Sequence, residues 1–476
     1  KIGNVHSSNL EVSYSILEPF STTLQKVRRK YMADKNYTMI KFMFLSCSAV
    51  RVVCQISNGV LIMILHQVHF IGGLKSSDNR PAMRYRNTSS LEYIPATLKV
   101  VEYVSAHYGC PKCKTDEEKP NIIHAPVPPA LLRSYASPSI VAWVIYSKYV
   151  NGMPLYRQEK DWLQYGFELS RATMANWVIE CTDKYLRVLY EFYHRLLLSR
   201  EFAMADESPI QVLKEEGREA TAKSYMWLFR SGEDDTPPIV LYKYAPTRRG
   251  DVAKEFLKGF NGYLMADGYT GYNKVQDIKR CCCFAHIRRY FFDAIPKGKN
   301  RDISCPAVQG VEYCDKLFAY ERHFKEKGYS YKQIKNGRLK KEKPVIEAFL
   351  SWLEKQKPIK GSKFATAVTY ALNRKEHMMT YLEDGRCSLS NNLSEQKMKS
   401  YVIGRKGWLF SDSPEGAEAS AISYSIAETA LANGLNVYKN ITYVLEKRPT
   451  EEMADSELEK LLPWNDKVFE MCKIER

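Results

Sequence analysis

No stretch of this sequence is apolar for long enough, and cleanly enough, to read as a membrane span. The nearest candidate, Phe42 to Leu65, is interrupted by Arg51, Gln55, Asn58 and Gly59. A spanning helix needs about 20 predominantly apolar residues, so a membrane anchor is the lesser reading. The tract also begins too late for a signal peptide. Twelve cysteines are present, yet not at the spacings of a secreted disulfide framework. Cys281-Cys282-Cys283 is a run inside a predicted strand, where core packing is the expected role. Cys110 and Cys113 form the only C-x-x-C pair. Tetrahedral zinc needs four ligands, and the upstream Cys47 and Cys54 stand at the wrong spacing in an apolar setting, so no complete zinc site is expected. No Ser or Tyr stands in an obvious nucleophile context. Acids are outnumbered: 54 Asp+Glu against 70 Lys+Arg leave a net charge of +16 over 476 residues. That excess suits a polyanion and predicts salt-dependent binding; a soluble basic protein with solvated charge would share the composition.

What the chain does have is three acids in three short contexts. Asp206 ends the run Phe202-Ala203-Met204-Ala205, and Asp267 ends Tyr263-Leu264-Met265-Ala266. A short apolar run that stops in Asp reads as a buried strand with a carboxylate at the sheet's carboxyl edge. Glu395 opens a predicted helix, with an Asn or Ser available as N-cap. Between the aspartates, Ser224–Arg230 and Ile239–Tyr244 are strand-like, joined by the turn Gly232 to Pro238, and a helix from Asp251 to Leu257 precedes the Asp267 strand. Strand, strand, strand, helix, strand is the order of a ribonuclease-H-like core, in which the first and fourth strands are neighbours. Two carboxylates held close repel, and a bound cation is the natural way to keep both ionised. Each Asp alone could equally end a strand in a turn.

Longer phrases give the chain a resemblance. They are Ala205-Asp206-Glu207-Ser208-Pro209-Ile210-Gln211-Val212-Leu213, Asp267-Gly268-Tyr269-Thr270-Gly271-Tyr272 and Cys283-Phe284-Ala285-His286-Ile287-Arg288-Arg289. Further on stand Asp384-Gly385-Arg386, Asn391-Asn392 with Glu395, Gly404-Arg405-Lys406-Gly407-Trp408-Leu409-Phe410, Glu428-Thr429-Ala430, Asn433-Gly434-Leu435 and Leu461-Leu462-Pro463-Trp464-Asn465. From about Leu91 to Asn465 the chain resembles transposases of the Insertion Sequence 66 family, a group of DDE transposases. The resemblance implies a catalytic, metal-holding triad of Asp206, Asp267 and Glu395. It also implies two Mg²⁺ ions, with Mn²⁺ as a substitute, about 3.5–4 Å apart at the scissile phosphate. Its implied partners are DNA (element ends and target), further copies of the chain on that DNA and two small accessory proteins, with no membrane. A bacterial, nucleoid-associated location would follow. Cys110 and Cys113 would be the remnant of a zinc module whose first half is missing.

The expected fold class is α/β: a ribonuclease-H-like catalytic core with a helical insertion, plus a helical N-terminal DNA-binding region. Residues 1–90 lack the family phrases and are expected to be aberrant or truncated, and 91–128 to be the partial zinc-like module. The expected DNA-binding region is 129–198, with helices from Ser137 to Tyr149, Leu155 to Tyr165 and Arg171 to Glu180. Ser170 caps the third, with Leu169 as a hydrophobic staple. Met174, Trp177 and Val178 fall on one face, leaving Arg171, Thr173 and Asn176 on the other, as in a helix-turn-helix whose second helix enters a major groove. An ordinary helical packing region would look the same. The catalytic domain is expected over 199–430, its insertion over about 302–380 and a helical tail over 431–476. After Glu395, Lys399, Arg405 and Lys406 are candidates for gripping DNA phosphates, with Lys399 on the face of Glu395 at i,i+4; an ion pair between those two is the plainer alternative. Trp408 is expected in the core, and His286 to pack or support. Metal-dependent cleavage at element ends and strand transfer is the expected function. An inactive remnant acting as a DNA-binding regulator, or a structure-specific nuclease on the same core, are the alternatives.

Overall fold

The computed structural model describes residues 37–45, 48–57, 60–69, 98–109, 122–127, 129–132, 134–298 and 302–474. Cys110 and Cys113, and the zinc question they carry, lie outside the described residues. Two units separate, Lys1–Pro95 and Ala96–Arg476. In the first, β1 (Tyr37–Leu45), β2 (Ser48–Ser57) and β3 (Val60–His69) form an antiparallel meander. The apolar tract from Phe42 to Leu65 is therefore spread over three strands. Among the described residues, no helix is long and apolar enough to cross a membrane.

In the second unit, β4 (His107–Gly109) and β5 (Ile122–His124) pair antiparallel. Helix α1 (Pro138–Tyr149) begins at Ser137, whose side chain accepts from the Ile140 N–H. Gly152 at φ +66° and Pro154 separate it from α2 (Leu155–Gln164). Helix α3 (Arg171–Cys181) is capped by Ser170, and Leu169 and Met174 are both buried at the staple positions. Its end differs from the expectation. No turn follows Glu180; a π-helical segment, Thr182–Leu186, carries the chain directly into α4 (Arg187–Leu198).

Five strands then form a mixed sheet: β6 (Phe202–Gln211), β7 (Lys223–Ser231), β8 (Val240–Ala245), β9 (Tyr263–Ala266) and β10 (Lys279–Cys282), in the order β10-β9-β6-β7-β8. The first three are antiparallel neighbours, whereas β9 runs parallel to β6 and β10 parallel to β9. Helix α5 (Asp251–Phe256) makes the crossover to β9. Beyond the sheet come α6 (Phe284–Asp293), the insertion helices α7 (Pro306–Glu326), α8 (Tyr331–Gly337), α9 (Lys343–Glu354) and α10 (Lys363–Leu372), and then α11 (Asn392–Trp408), which bears Glu395. Helices α12 (Pro414–Ala432), α13 (Val437–Lys447), α14 (Asp455–Leu458) and α15 (Asp466–Cys472) close the chain.

Alternation along β6 divides two cores. Ala203 and Ala205 enter an apolar cluster with α1, α3, α4, α12 and α13, while Phe202 and Met204 enter another with α6 and the insertion. The first cluster takes residues from both sides of positions 198 and 199, so the N-terminal helices pack in one core with the five-stranded sheet. Edge strand β8 is covered by α12. Ser425 accepts the Tyr242 N–H at 2.7 Å, Thr429 accepts the Val240 N–H at 3.0 Å, and Asn433 donates to the Pro238 carbonyl at 2.9 Å. Those three positions repeat every four residues, one helix face, and they occupy the groups that an open edge would offer another strand.

Candidate active site

The register of the parallel ladder sets the first two acids. Met204 pairs with Met265, and two residues further on come Asp206 and Asp267. Side chains alternate along a strand, so continuing that register puts both carboxyls on the insertion side, with Met204 and Met265. Strand β9 ends at Ala266, and Asp267 opens a turn in which its Oδ1 accepts the Tyr269 N–H at 2.8 Å. Asp206 is followed in β6 by Glu207, on the opposite face, where Arg248 donates to it at 2.6 and 2.9 Å and the Tyr272 hydroxyl at 2.5 Å.

Glu395 is delivered by Asn391. This residue stands at the N-cap of α11, but its side chain does not cap the helix. Its Nδ2 instead donates to the carbonyl of Ala205, the residue before Asp206, at 2.8 Å, and its N–H points at the Cys283 sulfur at 3.2 Å. One fully buried amide thus ties the start of α11 to β6 and to the start of α6. Glu395 lies one turn later. Its neighbours are His286, with Nδ1 3.7 Å from Oε1, and Arg289, with Nη2 3.4 Å from Oε2. Lys399 is exposed, and the basic groups nearest Glu395, Arg289 and the imidazole of His286, come from α6 rather than from its own helix.

The electrostatics follow from burial and crowding. Burial first, then the carboxylates of Glu207, Asp267 and Glu395, push the Asp206 carboxyl up to about 7, against the pull of the Glu207 N–H it accepts. Glu207 is also raised, by burial and then by Asp267, with Tyr272 and Arg248 opposing. Burial lowers the His286 imidazole, and Glu395 acts the other way. The three triad candidates are near enough to feel one another. Among the described residues, however, the donor atoms that close to within 4.8 Å of each other belong to Cys283, His286 and Glu395.

Two arginines hold the Asp267 turn. Arg280 of β10 donates to the Asp267 carbonyl at 3.2 Å, and Arg374, just past α10, to the Gly268 carbonyl at 2.5 Å. Arg374 also donates to the Tyr370 carbonyl and lies 3.6 Å over the Tyr370 ring. A Cβ on Gly268 would overlap this guanidinium. The end of an arginine can ordinarily swing aside, but this one is fixed at three points, so glycine is the residue that fits.

The remaining candidates are spread out. Arg171 and Asn176 are exposed on one side of α3; Thr173 is half-buried, with its hydroxyl 2.9 Å from that of the capping Ser170. Arg405 is half-buried and Lys406 exposed in the last turn of α11. A helix rises 1.5 Å per residue, so they stand about 15 Å along the axis from Glu395. Trp408 packs against the first core, edge-on to Tyr149. Sequence reasoning gave no site role to Arg280, Arg289 or Arg374 and read an Asn before Glu395 only as a cap, although Asn391 and Arg289 both stand in the quoted phrases. Arg289 also lies three residues after His286, hence on the same helix face.

A family model described as "Transposase IS66 family" matches residues 133–419. Among curated relatives, the uncharacterized protein y4hP of Sinorhizobium fredii (strain NBRC 101917 / NGR234) is 27% identical over 398 residues, 79% of this chain and 70% of that protein. From the same organism, the uncharacterized protein y4qI is 29% identical over 73% of this chain and 66% of its own length. A third, y4jD, is 27% identical over 80% of this chain and 75% of its own length. No solved structure matches.

Proposed function

The chain belongs to the IS66 transposase family, and from that premise we propose that it is a DNA transposase that cleaves at the ends of a mobile element and joins the freed strand to target DNA. The observation that carries this reading is the shared register of Asp206, which lies midway along β6 and not at its end as expected, and Asp267, just past the end of parallel β9: each stands two residues beyond the Met204–Met265 pair, and Glu395 is tied to β6 through Asn391. The strand order β10-β9-β6-β7-β8, antiparallel on one side of β6 and parallel on the other, supports a ribonuclease-H-like core.

The residues fit a divalent cation. Three carboxylates are hard oxygen donors, and Glu395 Oε1 is a buried acceptor with no hydrogen-bond donor. Asp206, Asp267 and Glu395 would hold Mg²⁺ or Mn²⁺, which when bound supplies Lewis-acid activation of water or a 3′-hydroxyl and neutralises phosphate charge. The protein's own contribution is placement. Arg280 and Arg374 fix the turn that presents Asp267, Asn391 fixes the helix that presents Glu395, and Arg289 holds one oxygen of Glu395. Arg405 and Lys406, three turns away, would meet DNA backbone beyond the scissile phosphate, and Arg171 and Asn176 would read the element end.

The test is a strand-transfer assay on a labelled element-end duplex with Mg²⁺ or Mn²⁺. Asp206→Asn, Asp267→Asn and Glu395→Gln are expected to abolish both cleavage and joining while leaving thermal unfolding near the parent's. Cleavage without joining would identify a structure-specific nuclease instead. Specific binding without cleavage would identify a regulator or inactive remnant. Either result overturns the proposal. Replacing both Arg405 and Lys406 by Ala should lower the salt slope of DNA binding by about one for each lost phosphate contact.

A further inference from the structure

Beside the three carboxylates lies a donor set of a different chemical kind. Cys283 is the N-cap residue of α6, His286 follows it by three, and Glu395 reaches across from α11. The Cys283 sulfur, a ring nitrogen of His286 and a Glu395 oxygen all lie within 4.8 Å of one another. Two of these atoms are orphans: His286 Nδ1 and Glu395 Oε1 are buried and have no hydrogen-bond partner. They face each other at 3.7 Å, too far for a hydrogen bond. Buried polar atoms are seldom left unpaired without a reason.

We propose that Cys283, His286 and Glu395 form a site for one thiophilic divalent cation of the zinc class, which shares Glu395 with the hard-metal site proposed on the carboxylates. Thiolate and imidazole donors select zinc or cobalt, whereas magnesium takes oxygen ligands. With metal–ligand bonds of roughly 2.0–2.3 Å, tetrahedral donors stand about 3.3–3.8 Å apart, so the triangle must contract modestly. Glu395 can supply that movement, because its side chain has three torsions and that oxygen is not held by a hydrogen bond. Burial pushes the Cys283 thiol up, and the Asn391 N–H that it accepts works against that rise. Three protein ligands leave a fourth position for water. If Glu395 is the third acid of the triad, as the proposed function has it, this cation holds that carboxylate away from Asp206 and Asp267 and so opposes catalysis.

The test uses Co²⁺ as a spectroscopic substitute and needs neither DNA nor turnover, so a silent strand-transfer assay would not decide it. The full chain carrying Cys110→Ser and Cys113→Ser, reduced and chelator-treated, is titrated with CoCl₂. One equivalent should produce a thiolate-to-cobalt charge-transfer band with the intense visible bands of four-coordinate cobalt, and one equivalent of Zn²⁺ should bleach both. Adding Cys283→Ser, or Cys283→Ala, should remove the charge-transfer band. Adding His286→Ala should weaken Co²⁺ binding by at least about tenfold, the lower bound known even for outer-shell partners. Thermal unfolding of each metal-free variant identifies any that fail to fold. Absence of the band in the parent, its survival in a folded Cys283 variant, or an unchanged Co²⁺ affinity in His286→Ala overturns the site.

Discussion

The two faces of the central sheet solve the same burial problem with different chemistry. Toward α12, the edge of β8 is satisfied by the hydroxyls of Ser425 and Thr429, and the buried charges there are single pairs, Glu428 with Lys397 at 2.7 Å and Glu207 with Arg248 at 2.6 Å. Toward the insertion, the interior is ionic. Arg338, nearly fully buried, donates to both oxygens of Glu321 and to the carbonyls of Tyr381, Asp384 and Cys387. Glu342, four residues on in the π-helical segment Arg338–Glu342, is buried beside it and accepts the Tyr381 hydroxyl at 2.5 Å. The candidate acids continue the register of the ionic side, and the segment Arg338 grips, residues 381–387, leads directly to Asn391 and Glu395. A strand edge satisfied by hydroxyls does not depend on pH. The ionic face is stable only while each charge keeps its partners, and in return it fixes backbone carbonyls that a hydrophobic core could not grip.

The largest break in that comparison should come from Arg338→Leu. It leaves Glu321 and Glu342 without their cation and three carbonyls without a donor, a loss of about 3–5 kcal/mol by the usual cost of breaking a buried pair. Chemical denaturation should register it. Arg338→Lys should rescue little, since a lysine has no planar fork for five acceptors. A near-normal unfolding midpoint for either variant would mean that the network is dispensable.

Next in size is the Asp267 turn. Gly268→Ala pushes against Arg374 and should cut the cleavage rate by about 10–100-fold, the range for partners that orient a metal ligand. Arg374→Ala alone loosens the same turn. In the double variant the overlap is gone, so the combined loss should be smaller than the product of the single losses. Strictly multiplicative losses would show that the two residues act separately.

At the hydroxyl-satisfied edge of β8, Thr429→Val or Ser425→Ala strands one buried N–H, and each should cost about 1–3 kcal/mol. Hydroxyls do not titrate in the working range, so this cost should be the same at pH 5 and pH 8. A pH-dependent cost would erase the contrast between the faces.

The mildest variant sharpens the contrast through pH. Burial first, then Glu321, pushes the Glu342 carboxyl up from 4.5 to about 8. Between those values the folded chain keeps a proton that the unfolded chain has released, so ionisation makes the wild type lose stability as pH rises through that window. Glu342→Gln cannot ionise. Its stability relative to wild type should be lowest near pH 4 and rise by about 1 kcal/mol or more by pH 8. Equal pH profiles for the two proteins would place the charge elsewhere.

Much of this was legible locally. The expected bounds of α1 and α2, set by the Gly-Met-Pro break between them, fell within a residue or two of those observed, as did the β7–β8 hairpin around Gly232 to Pro238. Residues up to 198 read as helical, but the unbroken join of α3 to α4 past Glu180 was not legible, because a π-helical segment has no composition of its own. Nor was Asn391. An Asn before a helix reads as a cap, and only the nearness of Ala205, 186 residues away, turns its amide elsewhere.

By itself the sequence determined the elements and the kinds of chemistry available: apolar runs that end in Asp, a helix that opens near Glu395, an excess of positive charge and a cysteine three residues before a histidine. These are set by neighbours a few positions apart, through propensity and periodicity. Only the tertiary structure decided which groups meet. It brought Arg374 onto the Gly268 carbonyl across 106 residues, Glu395 between His286 and Arg289, and Cys283 against Asn391. Contacts between distant segments are chosen by the packing of the whole sheet and its two cores, and no local pattern records them.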